Sequence, residues 1–182
     1  LAADITEFTV INQLAVSNSI AGSVVGSAIS QLVSGQITLT LEDATDVPDG
    51  AFRECHALKQ VSLPKATSIG NSAFRSCAAL TSVTTAATSI GTSAFYGCIN
   101  LQSATFTSDN TEIGAWAFNK CTKLTDVSWD KVKSISDQAF SECNTLVEVS
   151  SSTVTTVGNS AFSMCESLKT VSLPVVTTLG NA

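Results

Sequence analysis

One short pattern recurs through most of the chain and limits what the chain can fold into. Ala-Phe-x-x-Cys-x-x-Leu occurs six times, and its alanines are separated by 22, 21, 23, 22 and 22 residues. The six copies begin at Ala51, Ala73, Ala94, Ala117, Ala139 and Ala161. Repeats of this length are units that bury an apolar face only against their neighbours. The chain is therefore predicted to form a solenoid of stacked units.

The spacing inside one unit predicts a short helix and a short strand. Ala, Phe, Cys and Leu fall at positions i, i+1, i+4 and i+7, which share one face of a helix. Three residues after the leucine, apolar residues alternate, as at Val61 and Leu63, and this is typical of a strand with one buried face. A glycine such as Gly70 precedes most of the helices, and we expect it to supply a backbone conformation that side chains disfavour. The predicted fold is α/β, with a parallel sheet along one side and short helices along the other.

Each unit contributes one phenylalanine and one cysteine to the predicted core. The phenylalanines are Phe52, Phe74, Phe95, Phe118, Phe140 and Phe162. The cysteines are Cys55, Cys77, Cys98, Cys121, Cys143 and Cys165. Six cysteines allow three disulfides, but one inward cysteine per unit favours a ladder of free, buried thiols. The sequence has no paired ligands such as Cys-x-x-Cys, so neither a metal nor any other cofactor is predicted.

One stretch of the chain shows a specific family pattern. It carries all nine residues that define the pattern: Leu58, Val61, Leu63, Pro64, Ile69, Gly70, Ala73, Phe74 and Cys77. In this it resembles the BspA-like leucine-rich repeats, also typified by a treponemal surface protein, over about residues 36–182. The resemblance implies a right-handed leucine-rich-repeat solenoid in an extracellular or cell-surface protein. It also implies adhesion or binding of a host protein.

The residues before the repeats are predicted to form a separate unit. Residues 19–34 carry apolar side chains at helical spacing, and Gly35 lies where a helix would end. We expect a helical cap over residues 1–35; a partner-binding amphipathic helix is the alternative. The repeat array then occupies residues 36–182 and ends within a unit, so either the native protein continues or this uncapped end contacts another subunit. No apolar run is long enough to predict membrane insertion.

The charged residues argue against several functions. The chain has 9 basic and 15 acidic residues, for a net charge of −6, which disfavours nucleic-acid binding. Four acidic residues lie close together: Glu42, Asp43, Asp46 and Asp49. Calcium binding is conceivable, but the spacing does not fit a calcium loop, so a solvated acidic edge is favoured. His56 is the single histidine and no nucleophile motif accompanies it, so we predict a surface histidine and no enzyme.

The strand residues that point away from the core are the predicted ligand-binding face. They include Gln60, Ser82, Ser103, Asp126, Ser128, Glu148 and Thr170. Small hydroxyl residues dominate, so a merely solvated sheet is the alternative. Trp116 stands where several other units have serine or glycine and is predicted to be an exposed aromatic contact, whereas Trp129 is predicted to be core. Tyr96 occupies the position of Arg53 in its unit and is predicted at the surface.

Three functions compete at this stage. The first is a non-catalytic cell-surface or secreted scaffold that binds a protein ligand. The second is a structural spacer or stalk that presents another domain. The third is an enzyme, for which the sequence offers no site. The first is favoured, because the resemblance points to surface proteins and the repeats offer an extended face.

Overall fold

The chain forms a parallel β-solenoid, seen in a computed structural model that describes residues 7–10, 37–109 and 111–181. Fifteen strands follow one another within these ranges: β1 Glu7–Val10, β2 Ile37–Leu41, β3 Asp46–Val47, β4 Leu58–Leu63, β5 Ser68–Ile69, β6 Ser82–Thr85, β7 Ser89–Ile90, β8 Ser103–Phe106, β9 Thr111–Ile113, β10 Asp126–Val127, β11 Val132–Ile135, β12 Glu148–Ser150, β13 Thr156–Val157, β14 Thr170–Ser172 and β15 Thr178–Leu179. One short 3₁₀ helix, Trp129–Lys131, lies between β10 and β11.

The strands form two long parallel sheets and one short one. The first sheet has the order β1-β2-β4-β6-β8-β10, and the second has β15-β13-β11-β9-β7-β5-β3. Strands β12 and β14 form a separate parallel pair. Each coil thus adds one strand on each of two sides of the solenoid. Because strands of successive coils pair in parallel, equivalent residues of neighbouring units lie side by side.

The core contains one column of phenylalanine rings that runs along the solenoid axis. Ring centroids of successive phenylalanines from Phe52 to Phe140 lie 5.1–5.2 Å apart and their planes are nearly parallel. The last ring, Phe162, lies 5.7 Å from Phe140 and is half-buried. The inward strand residues close the core from the other side, as Val61 does opposite Val83.

The predicted short helices are wrong: within the described ranges, the Ala-Phe-x-x-Cys segments are turns and not α-helices. In residues 72–77 the backbone N–H groups alternate between two kinds of acceptor. Those of Ser72, Phe74 and Ser76 donate to carbonyls of the next coil, at 2.9, 2.7 and 2.8 Å. Those of Ala73, Arg75 and Cys77 donate to the carbonyl three residues earlier. In an α-helix every N–H would donate to the carbonyl four residues earlier. This segment instead uses half of its N–H groups to bind the next coil.

Two left-handed residues in each turn prevent a helix from forming. In residues 72–77 these are Ser72, with φ 55°, and Ser76, with φ 58°. The same two positions have positive φ in the other five copies of the turn. L-residues cannot continue a right-handed helix through such a conformation. The spacing i, i+1, i+4, i+7 therefore places four side chains inward without a helix.

The glycine that precedes most of the turns has a different role from the one predicted. The left-handed positions are elsewhere, while Gly91 packs directly against the preceding coil. A Cβ atom added to Gly91 would lie 2.7 Å from the backbone nitrogen of Asn71 and 2.7 Å from the carbonyl carbon of Gly70. Glycine is therefore required for close approach of two backbones.

At two strand ends a hydroxyl residue replaces the usual apolar residue, and its side chain forms the hydrogen bond of the turn. The Thr85 hydroxyl accepts the N–H of Ala87 at 3.0 Å, and the Ser151 hydroxyl accepts that of Thr153 at 3.1 Å. Such side-chain turns replace the proline turn of other units. The Ser151 hydroxyl also donates to the backbone carbonyl of Trp129 at 3.0 Å. Trp129 is buried, and its ring lies edge-on to Phe162 in the next coil at 6.2 Å.

The predicted helical cap over residues 1–35 lies for the most part outside the described residues. The four residues of that range that are described form β1, which pairs in parallel with β2. The first sheet is thus extended by one strand beyond the repeats. At the other end, Val171, Val175 and Leu179 are exposed in the last described coil.

Candidate binding surface

The outward side chains of the first sheet line up in a column along the solenoid. Parallel pairing sets this column in register in two runs: Gln60, Ser82, Ser103 and Asp126, then Glu148 and Thr170. Four of these six residues are exposed, and the two serines are half-buried. We call this surface, together with the neighbouring column of Thr84 and Thr105, the strand face. It offers hydrogen-bonding groups but no aromatic side chain.

Ser128 does not belong to this face, although its spacing in the sequence placed it there. Strand β10 ends at Val127, and Ser128 precedes the 3₁₀ helix. The Ser128 hydroxyl accepts the backbone N–H of Phe106 at 2.6 Å. The first sheet therefore ends here. The Ser128 hydroxyl takes the place of the backbone carbonyl that a continued strand would offer to the N–H of Phe106.

A shallow depression lies beside this interruption of the sheet. Its volume is about 340 Å³, and it is lined by Phe106, Val127, Ser128, Trp129, Asp130, Lys131 and Ser150. The largest of these side chains, Trp129, is buried and contributes to the core. The depression is open to solvent, so it lacks the enclosure typical of a small-molecule site.

The turn segments carry both arginines and the single tyrosine of the chain. We call the outer side of residues 50–54, 72–76, 93–97 and 116–120 the turn face. The residue after each phenylalanine is Arg53, Arg75 and Tyr96 in three successive coils. The Arg75 guanidinium carbon lies 4.3 Å from the centroid of the Tyr96 ring, which is a cation–π contact.

Trp116 lies on the turn face and is 39% exposed. Its φ is 55°, a left-handed conformation that is unusual for a bulky residue. Its backbone N–H donates to the carbonyl of Asp137 at 3.0 Å, so the ladder of turns continues through it. The aromatic contact predicted for Trp116 therefore falls on a different side from the strand face.

The pairing of Arg75 with Tyr96 was missed from the sequence. A signal for it existed, because the residues that follow Phe74 and Phe95 occupy equivalent positions in adjacent repeats. Stacked repeats bring equivalent positions to about 4.8 Å from each other. Comparing these columns across units, and not only along one unit, would have revealed it.

Each cysteine after the first donates its thiol proton to the preceding coil. The Cys77 sulfur lies 3.0 Å from the carbonyl oxygen of Phe52, and the Cys98 sulfur lies 3.1 Å from that of Phe74. None of the six cysteines is in a disulfide; five are buried and Cys165 is half-buried. The cysteine side chains therefore pack in the apolar core and also form weak hydrogen bonds between coils.

Burial keeps these thiols protonated. It raises the pKa of Cys55 from 9.0 to about 12. Burial likewise raises the pKa of Cys121 and Cys143 well above the ordinary value. A thiolate is the nucleophilic form of cysteine, so the column has no reactive centre at neutral pH.

We expect the folded chain to resist thiol alkylation. Burial and a raised pKa should limit reaction with iodoacetamide at neutral pH to the half-buried Cys165. In concentrated guanidinium chloride without reductant, all six thiols should react, as counted by the mass shift. Fewer than six adducts in the unfolded chain would show that disulfides exist.

We also expect the fold to fail at alkaline pH. A thiol whose pKa is higher in the folded chain than in the unfolded chain stabilises the fold fully below pH 9, and this contribution is lost as the pH rises toward about 12. Each buried thiol should lower the free energy of unfolding by up to about 1.4 kcal/mol per pH unit in that range. Thiolate absorbance and loss of β-sheet circular dichroism should appear together. Thiolate absorbance in a chain that is still folded would contradict this.

The acidic residues of the first coil do not converge on one point. Asp43 pairs with Lys65 at 2.5 Å, and Asp49 accepts the side-chain amide of Asn71 at 3.2 Å. Asp46 accepts the Ser68 hydroxyl at 2.6 Å, and this bond is the main reason why its pKa lies below the usual value. Each of these three carboxylates is thus bound to the next coil. No group of three or more potential metal ligands occurs in the described part of the chain.

His56 is exposed on the loop between the first turn segment and β4. Its neighbour Cys55 is buried, and burial raises the pKa of the Cys55 thiol to about 12. Across the described ranges, no helix is long and apolar enough to span a bilayer.

The fold and the repeat together define a leucine-rich-repeat scaffold. The family described as the BspA type leucine rich repeat region matches six copies, over residues 34–88 and 67–182. The chain belongs to this family. The family consists of leucine-rich-repeat scaffolds, and this is the class of protein that the sequence pattern indicated.

Solved structures of bacterial proteins resemble the chain. A leucine-rich repeat protein from Bacteroides ovatus is 26% identical, with a TM-score of 0.66, over 80% of this chain and 45% of that one. One from Eubacterium ventriosum is 27% identical, with a TM-score of 0.65, over 72% of this chain and 37% of that one. A leucine rich cell surface protein from Faecalibacterium prausnitzii is 29% identical, with a TM-score of 0.51, over 77% and 36%. The chain therefore spans less than half the length of these proteins. No curated protein matches it.

Proposed function

We propose that the chain is a non-catalytic scaffold, displayed at the cell surface or secreted, that binds a protein ligand. The observation that carries this proposal is the strand face, whose outward residues stay in register from β4 to β10. A rigid, regular surface of this kind is what repeat proteins use for recognition. The similarity to a leucine rich cell surface protein of Faecalibacterium prausnitzii supports the location.

The strand face suits a protein ligand better than a small molecule. It is extended and nearly uniform, and its exposed groups are hydroxyls, an amide and two carboxylates. A protein interface of ordinary strength covers about 800 Å² per partner, and an elongated sheet surface can supply a large part of that area. The residues proposed for contact are Gln60, Ser82, Ser103, Asp126, Glu148 and Thr170.

Surface plasmon resonance tests the proposal. The chain is immobilised, and purified extracellular-matrix and serum proteins are passed over it; at least one should bind saturably. The double variant Thr84→Lys/Thr105→Lys places two long cations in the middle of the strand face and should weaken that binding at least about tenfold. The matched control, Ser89→Lys/Thr178→Lys, alters exposed positions of the second sheet and should leave binding unchanged. Equal losses in both variants would refute the strand face as the site.

A structural spacer is the second candidate. Parallel coils add about 4.8 Å of length each, and their shared core makes the array stiff. If no protein in the panel binds and the strand-face variant behaves like the unaltered chain, the spacer is favoured. An enzyme would require turnover of a substrate that is abolished by His56→Ala, and we expect none.

A further inference from the structure

The residue types that anchor protein interfaces are concentrated on the turn face. The chain has two arginines, one tyrosine and two tryptophans. Trp129 is in the core, and the other four all lie on the turn face of four successive coils: Arg53, Arg75, Tyr96 and Trp116. Tryptophan, tyrosine and arginine are the types most enriched at the energetic centres of interfaces. The strand face has none of them.

Arg75 is held in place but is not neutralised. Its guanidinium group lies over the Tyr96 ring, and the Lys120 ammonium lies 5.8 Å from the centroid of the same ring. Among the described residues, no carboxylate lies within 4.0 Å of the Arg75 side chain. A guanidinium carries five N–H donors in a fork that fits a carboxylate at two points. Stacking on the ring restrains this fork before any ligand arrives, which lowers the entropic cost of binding.

The local charge on the turn face is opposite to that of the whole chain. Its four segments contain three cations, Arg53, Arg75 and Lys120, and one carboxylate, Glu54, although the net charge of the chain is −6. Glu54 binds Arg53 at 3.2 Å, and Glu142 of the next coil approaches Lys120 at 3.8 Å. At the edge of the face, Asp49 is bound to Asn71. Arg75 is thus the cation at the centre of the face that retains an unmatched charge.

We propose that the turn face is a second binding site, separate from the strand face, for an acidic segment of a protein partner. Arg75 binds a carboxylate of that segment, Lys120 and Arg53 supply flanking positive charge, and Trp116 supplies an apolar anchor. Three coil steps separate Arg53 from Lys120, or about 15 Å, which four or five residues of an extended chain would span. An exposed tryptophan beside cations favours a peptide with aromatic and acidic residues over a uniformly charged polymer.

Fluorescence anisotropy tests this proposal with a defined probe. The probe is a fluorescein-labelled peptide of alternating glutamate and tyrosine, and its matched control has glutamine in place of every glutamate. The glutamate peptide should bind saturably and the glutamine peptide should not. Arg75→Ala should weaken binding at least about tenfold, the range for losing a partner of a charged hydrogen-bonded pair. Arg75→Lys should lose most of that affinity as well, because an ammonium lacks the fork.

Control variants separate this site from general charge effects. Lys59→Ala removes an exposed cation from the first sheet and should change affinity less than twofold. Trp116→Ser should weaken binding without lowering the melting temperature, because Ser72, Ser93 and Ser160 occupy equivalent positions. Equal effects of Lys59→Ala and Arg75→Ala, or equal binding of both peptides, would overturn the proposal. So would heparin binding that exceeds peptide binding and is indifferent to Arg75→Ala.

The result is independent of the strand-face proposal. The strand-face variant Thr84→Lys/Thr105→Lys should bind the glutamate peptide as the unaltered chain does. If the peptide fails to bind while a protein ligand is lost in that variant, the turn-face site is refuted and the strand face stands. If the peptide binds while the strand-face variant weakens the binding of no protein in the panel, the strand face is refuted and the turn-face site stands.

Discussion

Phe118→Ala is expected to lower the free energy of unfolding by about 3–5 kcal/mol, the range for truncating a buried phenylalanine. Its ring is fully buried and stacks between Phe95 and Phe140, with centroid distances of 5.1 and 5.2 Å. It also contacts Phe106 edge-on at 6.2 Å. Removing it leaves a cavity that two neighbouring coils share, so the whole array should melt at a lower temperature. Denaturant unfolding followed by circular dichroism measures the loss.

Phe162→Ala is the matched control for this prediction. Phe162 is half-buried and stacks on Phe140 at a centroid distance of 5.7 Å. Its truncation should cost clearly less than that of Phe118, because less apolar surface is removed from the core. Equal losses at the two positions, or an unchanged melting curve for Phe118→Ala, would contradict a shared phenylalanine core.

Gly91→Ala is expected to destabilise the chain by about 1–3 kcal/mol, the usual cost of overpacking. The added methyl group would lie 2.7 Å from backbone atoms of the preceding coil, and backbone atoms cannot turn aside as a side chain can. The two coils would have to separate locally, which would also weaken the hydrogen bond from the Gly91 N–H to the carbonyl of Ile69, now 2.8 Å. Thermal and denaturant unfolding both report this change.

Gly50→Ser is the control for the glycine prediction. Gly50 has φ 63°, but an added Cβ would meet nothing within 4 Å, and serine occupies the same position in three other coils. This change should therefore cost less than Gly91→Ala, although both remove a glycine. The opposite order would mean that backbone conformation, and not close approach of two backbones, limits substitution at these glycines.

The repeat period and the inward residues could be predicted from the sequence because stacking depends on composition at fixed intervals. Val61 and Val83 pair across adjacent strands as a spacing of 22 requires. The helices could not be distinguished from turns in this way. A helical face and a stacked turn both place residues i, i+1, i+4 and i+7 inward, and only the left-handed backbone at Ser72 and Ser76 separates them. Serine gives no clear sign of that conformation in a sequence.

Contacts between neighbouring coils were the other part that a single-unit analysis missed. Ser151 stands where other units have an apolar core residue, yet its hydroxyl binds the backbone carbonyl of Trp129. Ser128 looked exposed, yet its hydroxyl binds the backbone of Phe106. In both cases the explanation lies one coil away, where shape and hydrogen bonding override the local pattern. The strand face and the turn face are likewise properties of several coils together.

The stacked turns have a mechanical consequence. Backbone hydrogen bonds join neighbouring coils along the two sheets and again along the turn segments, and all of them run parallel to the solenoid axis. A tensile force applied along that axis therefore stretches each of these bonds end to end. Such a molecule should yield by peeling one coil at a time, each releasing about 70 Å of chain. Pulled at both ends, the molecule would lengthen in steps and dissipate the applied work, and would not keep a fixed length.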